Sequence, residues 1–112
     1  MNLSSITDGG HRIVTVNESR IDAAVALAFK DQMRSQTEDG PESVVLNLQQ
    51  VQFVDSSGLG AIVASMKAMG QGRTLALAGL NPTVDKVFRL TRMDSVFQMY
   101  PTLDDALNQL GH

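Results

Sequence analysis

The fold is decided by residues 43–60, which read SVVLNLQQVQFVDSSGLG. Residues 43–48 are almost continuously apolar, which is typical of a strand covered on both faces, so we expect them to form the central strand of a sheet. A helix is predicted to follow, with its apolar face at Leu59, Ile62, Val63 and Met66. A buried strand that leads into a helix indicates the α/β class.

Two strands and one helix are predicted on the N-terminal side of this segment. The β-branched run at 12–16 follows the turn pair Gly9-Gly10 and predicts a strand, which residues 3–6 join as a hairpin. The apolar spacing of residues 22–36 predicts a helix with Asp22 as its N-cap.

On the C-terminal side, the sequence predicts two more strands and two more helices. A strand at 74–78 leads into a helix that begins at Asn81 and Pro82, which suit an N-cap and a first helical position. A short strand at 96–99 precedes a final helix capped by Thr102. The resulting order β, β, α, β, α, β, α, β, α is typical of βαβ crossovers within one sheet.

Length and composition restrict the classes of function. A chain of 112 residues fits one domain, 1–112, because domains commonly hold about 100 to 150 residues. Its 43% hydrophobic and 19% charged residues are ordinary globular usage. The net charge of -3 gives no general attraction to phosphate backbones, so we expect no nucleic-acid partner.

Several kinds of site are disfavoured by residue usage. The chain has no cysteine, which excludes disulfides, thiolate zinc sites and thiol nucleophiles. His11 and His112 lie near opposite ends of the chain, so we expect no metal and no cofactor. The six methionines are interpreted as core filler. No signal peptide and no run of about 20 apolar residues is present, so a cytoplasmic protein without membrane contact is expected.

The chemistry of the chain is concentrated where the central strand gives way to the helix. Ser56 or Ser57 is expected at the helix N-cap, where the free amides of the first turn also favour an anion. A phosphate on either hydroxyl would be tolerated there. The residues by themselves leave two interpretations open: the serines only cap the helix, or one of them accepts a phosphoryl group.

The same segment resembles the signature of bacterial anti-anti-sigma factors, the type members of the STAS family. The resemblance is carried by Val45-Leu46-Asn47-Leu48, Val51, Phe53 and Asp55-Ser56-Ser57-Gly58-Leu59-Gly60, and it continues through Asn81-Pro82 and Phe88. It extends over roughly residues 12–110. It implies a STAS fold, in which a mixed sheet of four to five strands carries about four helices, packed mainly on one side.

The resemblance also implies a function, that of an anti-sigma factor antagonist. In this family the unphosphorylated protein binds an anti-sigma factor, which is a serine kinase of the GHKL type, and so releases the sigma factor. The residue after the motif aspartate is the phosphorylated serine, which corresponds to Ser56 here. Phosphorylation ends binding, and a phosphatase of the PP2C type reverses it.

The implied site has no catalytic residue of its own, since the base and the magnesium would come from the kinase. Asp55 would orient the loop or the hydroxyl, and Gly58 and Gly60 would let the partner approach closely and leave the turn unstrained. Ser57 would serve as a cap or a loop hydrogen bond. The partner-binding set implied by the resemblance is Asp22, Asp55, Ser56, Ser57, Gly58, Leu59 and Gly60.

One segment departs from the family pattern. Members often carry Gly-Glu-Leu-Asp before the first helix, and residues 19–22 read Ser-Arg-Ile-Asp here. Asp22 keeps the acid, whereas Arg20 reverses a charge. Two interpretations stay open: Arg20 is a solvated loop residue, or it alters the choice of partner.

A serine hydrolase and a phosphorylation-independent binding module are the two alternative functions. A serine hydrolase is disfavoured because neither serine lies in Gly-x-Ser-x-Gly and no histidine lies in the middle of the chain. A phosphorylation-independent STAS binding module, such as a stressosome-type scaffold or a subunit of a lipid-transport complex, stays open as the alternative.

Overall fold

The computed structural model describes residues 1–111, which form seven strands, four α-helices and one 3₁₀ turn. The strands are β1 (Leu3–Asp8), β2 (His11–Val16), β3 (Arg20–Ile21), β4 (Ser43–Asn47), β5 (Phe53–Val54), β6 (Thr74–Ala78) and β7 (Met99–Tyr100). The helices are α1 (Ala26–Thr37), α2 (Ser56–Met69), α3 (Pro82–Leu90) and α4 (Leu103–Leu110), and the 3₁₀ turn is Met93–Ser95.

The main sheet confirms the predicted α/β class and the central position of the 43–48 segment. Within residues 1–111, five strands pair in the order β1-β2-β4-β6-β7. Only the β1–β2 pair is antiparallel, and the other three pairs are parallel. Val44, Val45 and Leu46 of β4 have no exposed surface, as expected for a strand with a layer on each face.

Successive residues of β4 face the two sides of the sheet. Val44 and Leu46 belong to the larger core, which also contains Phe29 of α1, Ile62 of α2 and Phe88 of α3. Val45 faces the other side and packs with Ala106 of α4. Three helices therefore cover one face and α4 covers the other, which confirms the expectation of helices mainly on one side. Burial of each large side chain contributes about 1.5–3 kcal/mol.

A second, two-stranded sheet was not predicted. β3 and β5 pair in parallel, with Arg20 opposite Phe53 and Ile21 opposite Val54. Two residues are too few to show a period of two, so the sequence pattern gave no signal for either strand. Ile21 and Val54 are both buried, which anchors the loops that follow them to the core.

Two predicted boundaries were wrong. The first helix begins at Ala26 and not at Asp22, and its N-cap, Val25, makes no side-chain capping bond. Residues 22–25 form a turn, closed by the Val25 amide donating to the Asp22 carbonyl over 3.1 Å. The last strand is Met99–Tyr100 and not 96–99, because the chain first completes the 3₁₀ turn and the Phe97 amide bonds back to the Met93 carbonyl at 2.8 Å.

Two predicted helix starts were correct. The Asn81 side chain accepts a hydrogen bond from the Val84 amide at 2.9 Å, with Pro82 in the first helical position. The Thr102 hydroxyl accepts one from the Asp105 amide at 3.0 Å. These caps satisfy amides that the helices leave unpaired.

The outer edge of β1 is covered by two glutamines of α1. The Leu3 amide donates to the Gln32 side chain at 3.0 Å, and the Leu3 carbonyl accepts from Gln36 at 3.4 Å. Gln32 also donates to the Met1 carbonyl. Backbone groups that an edge strand would offer to another chain are therefore occupied at this end of β1.

The methionine side chains pack as predicted. Met33 is buried in the larger core, and Met1, Met66, Met69, Met93 and Met99 are partly buried against it. Across residues 1–111, none of the helices has the length and apolar character that a bilayer crossing needs.

Candidate functional site

The candidate site lies where β3 and β5 end and the chain enters the turn before α1 and the first turn of α2. Ser56 and Ser57 are the first two residues of α2, and both are exposed. Neither is the N-cap, so that prediction was wrong. The cap is Asp55, whose backbone is extended and whose Oδ1 accepts a hydrogen bond from the Gly58 amide at 2.8 Å.

Asp55 also joins the two loops. Its Oδ2 accepts a hydrogen bond from the Ala23 amide at 3.2 Å, and its own amide donates to the Ile21 carbonyl at 3.3 Å. Both carboxylate oxygens therefore accept backbone amides, one from the first turn of α2 and one from the turn before α1. These bonds provide a physical basis for the loop-orienting role expected for Asp55.

Gly58 lies where a side chain does not fit. It is buried, and a Cβ atom in its place would lie 1.9 Å from the Ile21 carbonyl oxygen. Its lack of a side chain lets α2 pack against β3. Gly60 is exposed, and a Cβ atom there would have no atom within 4 Å, so the helix surface around it is open.

Leu59 and Asp22 complete the set of predicted residues. Leu59 is partly buried against the larger core, and its amide donates to the Asp55 carbonyl at 2.8 Å. Asp22 accepts from the Ala24 amide at 3.2 Å through Oδ1 and from Arg20 Nε at 3.1 Å through Oδ2. The structure thus brings Asp22, Asp55 and residues 56–60 to one end of the molecule.

Phe53 lies beside these residues, a position that the sequence analysis did not predict. Its ring is 39% exposed, and the Arg20 guanidinium carbon lies 4.5 Å from the ring centroid. Arg20 is therefore neither freely solvated nor buried, since it is held by Phe53 on one side and by Asp22 on the other. The pairing of β3 with β5 creates this contact, and that pairing leaves no mark in the sequence.

His11 does not lie in this site. His11 lies at the start of β2, and its Nδ1 is 2.7 Å from the Ser43 hydroxyl at the start of β4. The predicted site follows the carboxyl ends of β3 and β5 instead. His112 lies outside the described residues. Among residues 1–111, no three His, Cys, Asp or Glu side chains are grouped to hold a metal ion.

The arrangement favours an anion on Ser56. The first turn of α2 carries unpaired amides and a partial positive charge, which stabilise a nearby negative charge by about 0.3–1 kcal/mol. The Ser56 hydroxyl is exposed at this position, so a second protein can reach it without disturbing the core.

The chain is similar to one protein family and to known proteins named as anti-sigma factor antagonists. The family described as "STAS domain" matches residues 2–106. An anti-sigma F factor antagonist of Paenibacillus polymyxa is 40% identical over 70 residues, which are 62% of this chain and 57% of that protein. This chain thus aligns with little more than half of that relative's length.

Two mycobacterial proteins match over more of their length. The anti-sigma-F factor antagonist RsfB of Mycobacterium tuberculosis is 27% identical over 105 residues, covering 92% of this chain and 86% of RsfB. The crystal structure of an anti-sigma factor antagonist from Mycobacterium paratuberculosis superposes with a TM-score of 0.85 at 29% identity. That superposition covers 96% of this chain and 92% of the other.

Proposed function

Because the chain belongs to the STAS domain family, we propose that it is an anti-sigma factor antagonist switched by phosphorylation of Ser56. In its unphosphorylated form it binds an anti-sigma factor that is a serine kinase of the GHKL type, and the sigma factor is released. Phosphorylation of Ser56 ends this binding. A phosphatase of the PP2C type removes the phosphate, and the cycle takes place in the cytoplasm.

The observation that supports the proposal best is the position of Ser56. Its hydroxyl is exposed on the first residue of α2, directly after the cap that joins two loops. The partner-binding surface consists of this serine and its exposed or partly exposed neighbours, with Gly58 supporting it from beneath. Those neighbours are Asp22, Asp55, Ser57, Leu59 and Gly60.

Phosphoryl transfer requires only the hydroxyl group of Ser56 from this chain. The Ser56 oxygen attacks the γ-phosphorus of ATP, the bond from that phosphorus to the bridging oxygen breaks, and ADP leaves. The serine proton passes to a base on the kinase, which also supplies the magnesium ion. In this scheme Asp55 has a positioning role, because its two oxygens accept the Gly58 and Ala23 amides. The protein is then a substrate and regulator rather than an enzyme.

The added charge is large enough to act as a switch. A phosphoserine carries a charge of about -1.5 to -2 and stands beside Asp22 and Asp55 in the proposed interface. An uncompensated charge in an interface costs several kcal/mol, and about 1.4 kcal/mol is a tenfold change in affinity. Local repulsion is therefore sufficient, and the fold need not change.

The test is phosphorylation in vitro. The protein is incubated with ATP, magnesium and each GHKL-type serine kinase encoded in the source genome, and added phosphate is located by peptide mass spectrometry. We expect phosphate on Ser56 that is abolished by Ser56→Ala and kept in Ser57→Ala, together with loss of kinase binding. A kinase that binds tightly but adds no phosphate would contradict the switch and favour a phosphorylation-independent STAS module.

A further inference from the structure

We propose that Arg20 and Phe53 form a second contact for the partner, beside Ser56. This contact fits a partner surface that presents a carboxylate to Arg20 and an apolar side chain to Phe53. The inference rests on the proposed function, because it concerns the same kinase, and it adds the chemistry by which that kinase is selected.

The first support is the shape of the Arg20–Phe53 pair. The two residues lie opposite each other in the β3–β5 pairing, and the guanidinium carbon is 4.5 Å from the ring centroid. Phe53 is nonetheless 39% exposed, although it is large and apolar. Aromatic and arginine side chains are enriched among the residues that carry most of the energy of protein interfaces. A stacked pair of this kind is a ready anchor for a partner.

The second support is the hydrogen bonding of Arg20. Its Nε donates to Asp22 Oδ2 at 3.1 Å, and the other oxygen of Asp22 accepts the Ala24 amide. Phe53 and Asp22 therefore fix the plane of the guanidinium through one face and one edge. The Arg20 side chain is still 59% exposed, and the hydrogen bond to Asp22 uses only Nε, so Nη1 and Nη2 can donate to a further group. Two parallel N–H groups at such an edge match a carboxylate.

The third support is the local charge. Arg20 is the only lysine or arginine in residues 17–25 and 49–60, the two segments that form the site, whereas Glu18, Asp22 and Asp55 are acidic. An acidic group of the partner thus has a single place to bind. A phosphate on Ser56 would repel that same group, so the second contact would strengthen the proposed switch.

The contact is also continuous with the site. Ile21, the next residue after Arg20, accepts the Asp55 amide at 3.3 Å, and Asp55 caps the helix that begins with Ser56. Arg20 and Ser56 are therefore carried by one hydrogen-bonded unit, and a single partner surface can reach both.

The experiment measures binding of the unphosphorylated protein to the same GHKL-type kinases by calorimetry. Arg20→Met keeps the aliphatic stem over Phe53 and removes the charge, and we expect it to weaken binding about tenfold. Arg20→Glu should weaken it more, and an Asp→Arg or Glu→Arg change in the kinase should restore it. The matched control is Arg34→Met, because Arg34 is also an exposed arginine paired with an aspartate, Asp31, but lies on α1.

The outcomes separate the two proposals. A kinase that phosphorylates Ser56 and binds the wild type and Arg20→Met equally well would overturn this inference and leave the proposed function intact. A protein that no kinase binds or phosphorylates would overturn both. Arg20→Glu places an acid beside Asp22, so repulsion in this variant can unfold the loop locally. The salt dependence of association is therefore measured for Arg20→Met. It should be weaker than that of the wild type.

Discussion

A Cβ atom placed on Gly58 would lie 1.9 Å from the carbonyl oxygen of Ile21. Ile21 ends β3, and Gly58 lies in the first turn of α2. The close approach of these two backbones therefore sets the distance between the loop that carries Asp22 and the helix end that carries Ser56. The group in the way is a backbone carbonyl, which cannot rotate aside as a flexible side chain can.

Gly58→Ala should therefore displace the start of α2 and destabilise the protein by about 1–3 kcal/mol, the usual cost of overpacking a core. The free energy of unfolding is measured by urea denaturation. Gly60→Ala is the matched control, since nothing lies within 4 Å of its added Cβ atom. It should stabilise the protein by about 0.5–1 kcal/mol. Equal effects of the two substitutions would contradict the packing argument.

Asp55→Ala should cost about 1 kcal/mol, the usual value of an N-cap, and should also free the loop at Ala23. Hydrogen exchange of the Gly58 and Ala23 amides should become faster together, because one carboxylate holds both. Asn81→Ala is the control, as it removes the cap of α3 instead. It should lower stability to a similar degree while leaving phosphorylation of Ser56 at the wild-type rate. If only one of the two amides responds to Asp55→Ala, the bridging role is wrong.

Ser56→Asp should leave the fold unchanged and raise the free energy of unfolding by about 0.3–1 kcal/mol, because a negative charge in the first turn interacts favourably with the helix dipole. Thermal denaturation at low and high salt is the measurement, and the gain should shrink at high salt. Ser57→Asp, one residue further along the same exposed turn, should behave alike in stability. A loss of stability in Ser56→Asp would show that this end of α2 does not tolerate an anion.

Replacement of both Gln32 and Gln36 by leucine should uncover the edge of β1. The Leu3 amide loses its acceptor, so its hydrogen exchange should accelerate, and sedimentation should show self-association. The replacement of both Asn108 and Gln109 by leucine is the control, because it also adds two leucines, at exposed positions of α4. Self-association of that control to the same extent would attribute the effect to hydrophobicity alone.

Much of the fold could be predicted because its signals are local. The buried run at 43–48, the Asn81-Pro82 start of α3 and the Thr102 cap of α4 each depend on neighbours in the sequence. The structure confirms all three, with the central strand ending one residue earlier, at Asn47.

The remaining features depend on tertiary contacts. Asp55, Ser56 and Ser57 are all good N-cap residues, so sequence could not choose among them, and the choice is made by the bond from Ala23 to Asp55. That bond joins residues 32 apart in the chain. The same loop delays α1 to Ala26, and the β3–β5 pairing puts Phe53 beside Arg20. Two-residue strands are too short to reveal such a pairing in advance.

The covered edge of β1 has a consequence for dosage. A protein that acts by binding a partner stoichiometrically gives a response proportional to the number of its free copies. Copies that self-associate therefore do not contribute to the response. Gln32 and Gln36 hydrogen-bond to the Leu3 amide and carbonyl, and so block one route to self-association. On the proposed function, these two glutamines of α1 extend the range of cellular concentrations over which the response stays proportional, although they are not part of the proposed contact surface.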